Sequence, residues 1–163
     1  MREQSCCFSG HRSIPYAVDG QLFQQLNDSV LHLNANMGIT TFYAGGALGF
    51  DTLAAEAVLA CRNQNPDIRL VIVIPCENQA SRWSLESAKR YEHIIEAADE
   101  VICLSDHYYN GCMHERNRYL VDHSSVCICY MTRDTGGTAY TVKYARSKGL
   151  RIFNLAQPKG GNT

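Results

Sequence analysis

The chain has 163 residues, 45% of them apolar and 19% charged, with fifteen basic against sixteen acidic side chains for a net charge of −1. That length suits one domain burying roughly 68–70% of its unfolded surface. The charge excludes a global field that would collect nucleic acid or an anionic membrane. There is no apolar run of membrane-spanning length, no leader-like segment and no Cys-x-x-Cys pair, so the eight cysteines read as reduced thiols of a cytoplasmic protein, without a metal site or resident cofactor.

In chain order, Ser5 to Ser9 is a short buried run, followed by a polar loop, Gly10 to Pro15, in which glycine and proline stop a strand. Leu22, Leu26, Val30, Leu33 and Met37 recur at helical spacing and predict a helix over Val18 to Met37, with Gly38 in the stop position. Ile39 to Ala44 reads as a second strand, and Thr52 to Arg62 as a helix closed by Asn65-Pro66. Ile68 to Ile74 holds six apolar residues in seven and fits a strand covered on both faces. A loop from Cys76 to Arg82, a helix from Ser84 to Ala98, a strand from Glu100 to Leu104, a loop from Asp106 to Gly111 and a helix from His114 to His123 follow. Ser125 to Met131 is a fifth strand, Ala139 to Lys148 a helix capped by Gly149, and Arg151 to Leu155 a sixth strand. Residues 156–163 read as a flexible tail behind a domain spanning 1–155.

Strand and helix thus alternate, which specifies a parallel sheet of about six strands with helices on both faces. Loops leaving the carboxyl ends of the strands share one rim, where ligands bind at a reversal of strand order. Two of those loops are rich in glycine. The turn Asp134-Thr135-Gly136-Gly137-Thr138 opens a helix whose first N–H groups and positive dipole end suit an anion, most often phosphate; the plain alternative is a tight turn with Thr138 as helix cap. Gly45-Gly46-Ala47-Leu48-Gly49-Phe50-Asp51 is the second, with Asp51 placed either to hold a ribose hydroxyl or simply to cap the next helix.

His11 and Arg12 follow the first strand, and an arginine beside a phosphate turn is a natural bidentate partner, whereas a lone histidine more often bonds locally. Glu115-Arg116-Asn117-Arg118 puts two arginines in the first turns of a helix, against its dipole, so a ligand phosphate or a buried carboxylate must satisfy them. Trp83, Tyr108 and Tyr109 are candidates to stack on a base or to pack the core.

Taken together, G-H-R after the first strand, A-G-G-A-L-G-F-D, E-R-N-R-Y-L-V-D and T-G-G-T-A-Y-T-V-K-Y-A resemble the YpsA-like branch of the SLOG superfamily, named from the Smf/DprA and LOG proteins, over Cys6 to Leu155. The resemblance implies a single Rossmann-like three-layer domain of a bacterial protein that binds a nucleotide or nucleotide-derived molecule of the ADP-ribose, NAD or AMP kind. The candidate ligand-binding residues on the rim are Gly10, His11, Arg12, Gly45, Gly46, Gly49, Asp51, Arg116, Asn117, Gly136, Gly137 and Thr138, with Gly136, Gly137 and Thr138 at phosphate, Arg12 and Arg116 countering charge, and Gly46, Gly49 and Asp51 near ribose. LOG enzymes cleave the base from nucleoside 5′-monophosphates and carry P-G-G-x-G-T-x-x-E; aligned on Gly137-Thr138, Thr141 stands where their glutamate does. Catalysis would therefore need another carboxylate, with Asp51, Glu115 and Glu56 as candidates. The Arg116-Asn117-Arg118 run is similar to one in DprA-like proteins that bind single-stranded DNA, but the near-neutral charge makes nucleic acid an unexpected main ligand. A protein or DNA interaction module with a vestigial pocket is the third reading, and a homodimer is a family expectation.

Overall fold

The computed structural model describes residues 2–156, so the expected tail from residue 157 onward lies outside the described residues. A single turn of 3₁₀ helix, Arg2–Gln4, leads into β1 (Ser5–Gly10), α1 (Tyr16–Met37), β2 (Thr41–Ala44), α2 (Phe50–Gln64), β3 (Arg69–Ile74) and α3 (Leu85–Ala97). The second part is β4 (Glu100–Cys103), α4 (Cys112–Asp122), β5 (Val126–Tyr130), α5 (Gly137–Ser147) and β6 (Arg151–Asn154). All neighbouring strands are parallel, in the order β4-β3-β2-β1-β5-β6.

Side chains alternate across a strand, and here both faces are apolar. Phe8, Phe42, Leu70, Ile72 and Ile128 pack on one face against Leu22, Leu26, Val30 and Leu33 of α1, the alanine-rich side of α2 and Ile94 of α3. Cys7, Val71, Val73, Cys127 and Cys129 pack on the other against Leu120 and Val121 of α4 and Val142 and Ala145 of α5. Right-handed crossovers explain the division. The chain moves one way across the sheet from β1 to β4, which lays α1, α2 and α3 on one side; it then returns past β1 and moves the other way, which lays α4 and α5 on the opposite side. The result is a Rossmann-like three-layer α/β fold.

Element ends differ from the sequence reading for local reasons. α1 starts at Tyr16, two residues before Val18, because Pro15 at the N-cap has no N–H to leave unpaired there. It stops at Gly38, whose φ of 68° lets its N–H reach the Leu33 carbonyl. Ile39 is buried but precedes the β2 ladder, since its N–H also goes back to Leu33 (3.2 Å) and its carbonyl accepts the Asn34 amide (2.8 Å). α2 begins at Phe50 with Gly49 at the N-cap, so Asp51 lies inside the helix and the reading of it as a cap is corrected.

Candidate functional site

Strand order reverses at β1, where β2 departs to one side and β5 to the other. The loops leaving β1 and β5 therefore diverge and leave a crevice at the carboxyl edge. A hollow of about 610 Å³ lies there, reached by residues of the β1 loop, the starts of α2, α4 and α5, and the β5 turn.

The β5 turn forms one wall. Gly136 adopts φ 94° and serves as the N-cap of α5 without a side-chain cap, so Thr138 does not cap the helix. The first bond of α5 runs from the Tyr140 N–H to the Gly136 carbonyl, which leaves the N–H groups of Gly137, Thr138 and Ala139 ahead of the helical ladder. A methyl group added at Gly137 would touch nothing within 4 Å, and both Gly137 and Thr138 line the hollow. Thr141 is buried with its hydroxyl donating to the Gly137 carbonyl (3.0 Å), inside its own helix. Arg133 also lines the hollow. Sequence reasoning passed over it, although a cation three residues ahead of a glycine pair in an anion turn was a usable signal.

The β1 loop forms the facing wall. Gly10 is required by packing, since a Cβ there would lie 2.3 Å from the Phe50 ring. His11 is 7% exposed; its Nε2 accepts the Thr132 N–H (3.0 Å) and lies 3.1 Å from the Thr132 hydroxyl. Burial, and then the Arg133 guanidinium, push its pKa below the ordinary histidine value, so the ring is neutral. Arg12 is exposed and reaches both this hollow and a neighbouring one of about 380 Å³ beside α1 and α3.

Asp51 and Arg116 form the floor. Both are buried, at 7% and 4% exposure, and they flank Gly45, where a Cβ would come 2.6 Å from Arg116 Nη1 and 2.8 Å from Asp51 Oδ2. Arg116 donates to the Gly45 carbonyl and to Asn117 Oδ1 (2.9 Å), and Asp51 accepts the Ala47 N–H (3.2 Å). Burial raises the Asp51 pKa, against the pull of Arg116, the Ala47 N–H and Arg12. Of the two partners the sequence allowed for the arginines, Arg116 thus faces the buried carboxylate while its edge still lines the hollow. Tyr108, His114 and Asn117 complete the side nearest α4, with His114 backed by the Tyr140 ring at 4.3 Å.

Other candidates lie apart. Gly46 (φ 70°) faces Ile72, Tyr91 and Gln79. Gly49 (φ 75°) is held to glycine by the Arg12 carbonyl, 2.2 Å from where its Cβ would stand. Glu115 accepts the Tyr109 hydroxyl and Glu56 pairs with Arg90 (2.6 Å), and neither lines the hollow, which leaves Asp51 as the one carboxylate of the three that does. Arg118 donates to the Tyr140 hydroxyl (2.9 Å), and Trp83 packs edge-on against Tyr91. Among the described residues no cluster of three His, Cys, Asp or Glu side chains is arranged to hold a metal, and no helix is long and apolar enough to cross a membrane.

The family model described as YspA SLOG family matches residues 19–153. The chain is similar to the UPF0398 protein BH1768 of Halalkalibacterium halodurans, at 32% identity over 144 residues, 85% of this chain and 71% of the relative. It is also similar to the SPbeta prophage-derived protein YoqJ of Bacillus subtilis, at 27% identity over 121 residues, covering 67% of this chain and 71% of that protein. Among solved structures, DNA processing protein A from Helicobacter pylori, described for its single-stranded DNA binding, superposes with a TM-score of 0.65 at 20% identity over 96% of this chain and 67% of that one. DprA from Streptococcus pneumoniae gives 0.65 at 18% identity over 92% of this chain, which spans about half of that protein (49%). At those identities the two structures establish a shared fold.

Proposed function

The chain belongs to the YspA SLOG family, and from that premise we propose that its switch-point hollow binds a nucleotide or nucleotide-derived small molecule without turning it over. The observation that carries this reading is the convergence on one hollow of the leading amides of α5 with Arg12 and Arg133, neither of which makes a hydrogen bond or ion pair to the protein among the described residues. Two uncommitted guanidinium groups and a helix N-terminus make a seat for a phosphate group. Asp51 and Asn117 supply the polar floor a ribose needs, and Tyr108 with His114 offers flat surfaces to a base. Arg116 is a supporting cation, since its donors are already engaged by Gly45 and Asn117.

The test is thermal denaturation with AMP, ADP-ribose, NAD and cyclic nucleotides. A ligand at a hundred times its Kd stabilises the fold by about 2.7 kcal/mol, a readily measured rise in Tm. Absence of any rise at millimolar ligand overturns the proposal. A short single-stranded oligonucleotide belongs in the same panel because of the Helicobacter neighbour, with the expectation that it is the weaker ligand at a net charge of −1.

One observation favours a second reading, a nucleoside 5′-monophosphate N-glycosidase. Asp51 lines the hollow and its raised pKa suits a carboxyl that holds a proton for a departing base or takes one from water. Release of free adenine from AMP, lost in Asp51→Asn and retained in Glu115→Gln, would establish it. A lack of turnover across the common nucleotides removes it.

A further inference from the structure

The β5 turn is tethered at few points. Asn154 holds Met131 from both sides, accepting its N–H (3.1 Å) and donating to its carbonyl (3.0 Å). Residues Thr132 to Gly136 are exposed, and among the described residues the hydrogen bonds of this stretch to other elements all run from the Thr132 N–H and hydroxyl to the His11 ring; the Gly136 carbonyl serves only the first bond of α5. That stretch carries Arg133 and sets where the leading amides of α5 point.

The tether depends on the protonation state of the ring. An imidazole nitrogen accepts an N–H only while it is bare, so the proton of His11 sits on Nδ1. A second proton would set the Nε2–H against the Thr132 N–H and leave the ring only the Thr132 hydroxyl as acceptor. Arg133 acts on the ring directly and Tyr130 packs edge-on against it, while Asp51 from α2, Arg116 and His114 from α4, and Arg12 next in sequence line the same hollow. Cations outnumber the single carboxylate, so the surroundings favour the neutral ring near neutrality.

We propose that His11 is the positioning residue of this site: as a neutral ring it pins the β5 turn to the end of β1, and on protonation it releases that turn and with it the grip on a bound anion. The second half of this inference rests on the nucleotide-binding reading, whereas the pin itself does not.

Amide hydrogen exchange on the ligand-free full chain tests the pin. At about pH 8 the Thr132 amide is protected in the wild type, and His11→Ala loses at least about tenfold of that protection. His11→Gln, whose side-chain oxygen accepts the same N–H, keeps it both at about pH 8 and at about pH 5, while the wild type loses it at the lower pH after correction for intrinsic exchange. Equal Thr132 exchange in wild type and His11→Ala at about pH 8, or the same acid loss in His11→Gln as in the wild type, overturns the proposal.

The ligand arm uses sulfate, whose charge is constant over this range, alongside AMP. Wild-type affinity for sulfate should fall several-fold relative to His11→Gln between about pH 8 and pH 5. Equal or tighter wild-type binding at the lower pH means that the new positive charge outweighs the lost tether, and overturns the proposed release. If neither anion binds the wild type at about pH 8, the nucleotide-binding reading and the release fall together, and the exchange result still decides the pin.

Discussion

Replacing Arg116 by methionine keeps most of the side-chain volume and deletes the buried cation under the hollow. Two costs follow from the structure. The Gly45 carbonyl, buried and accepting from Nη1, loses its close donor and keeps only the long bond from the Gln79 amide (3.5 Å), at about 1–2 kcal/mol for a weakened buried acceptor. Asp51 loses the largest of the influences that lower its pKa. Removing one member of a contacting buried ion pair costs about 3–5 kcal/mol, but Arg116 acts on Asp51 through space without a direct ion-pair contact, and Asp51 keeps the Ala47 N–H and can take up a proton, so a total of about 3 kcal/mol is expected near pH 8. The pH dependence has a definite sign. A carboxyl whose folded pKa is raised stabilises the fold at pH values below its unfolded pKa, and that contribution is lost as pH rises through the folded value. Arg116→Met raises the Asp51 pKa further, so its deficit should be larger near pH 8 than near pH 5, by about 1 kcal/mol. Urea denaturation at the two pH values measures both quantities: with m of about 2 kcal/mol/M the midpoint drops by about 1.5 M at the higher pH. Adding Asp51→Asn to Arg116→Met should recover part of the loss. A deficit below about 1 kcal/mol, or one independent of pH, refutes the picture of Arg116 as counter-charge to Asp51.

Other expectations follow from single contacts. Gly45→Ala forces a Cβ between the Arg116 guanidinium and the Asp51 carboxylate and should destabilise by about 2 kcal/mol in thermal melts. Arg133→Ala should leave Tm within about 1 °C of wild type, because the side chain makes no hydrogen bond or ion pair among the described residues, while weakening any anion seen in the ligand panel by about tenfold. At the amino edge of the sheet, Asp99 accepts the Leu70 N–H (2.8 Å) and pairs with Arg62 (2.8 Å). Burial alone would raise its pKa, but those two partners outweigh it and the net shift is downward. Its contribution is therefore present above the ordinary aspartate value near 3.9 and fades as pH falls through the lower folded value, so Asp99→Ala should cost about 1–2 kcal/mol at neutral pH and less in acid titration.

Periodicity made the elements legible, because 3.6-residue and two-residue repeats are local properties that a window of sequence carries whole. Leu22, Leu26, Val30 and Leu33 marked α1, and the unbroken run at Ile68 to Ile74 marked a strand covered on both faces, as β3 is. Strand order is nonlocal, and only the coordinates place β5 against β1 and the reversal beside Gly10 and Gly136. The same limit explains Asp51. Its position just ahead of the helix expected from Thr52 suggested a cap, yet its carboxylate turns back to Ala47 because Gly49, with φ 75°, starts the helix two residues earlier than a capping aspartate requires. Arg116 was legible as an arginine that needed a partner, but whether that partner is ligand or carboxylate depends on how close α4 comes to the β2–α2 loop. The tie between His11 and Thr132 crosses 121 positions, and no motif spacing signals it.

Parallel pairing of Cys6–Gly10 with Val126–Tyr130 joins segments some 120 residues apart (126 minus 6). Neither wall of the crevice can meet the other until that loop has closed, so the proposed anion seat is assembled late in folding and is absent from any N-terminal fragment. A chain cut in the exposed Asp106–Gly111 loop should therefore yield two halves that are each silent toward ligand and regain binding only on reassociation, with the central strand as the seam.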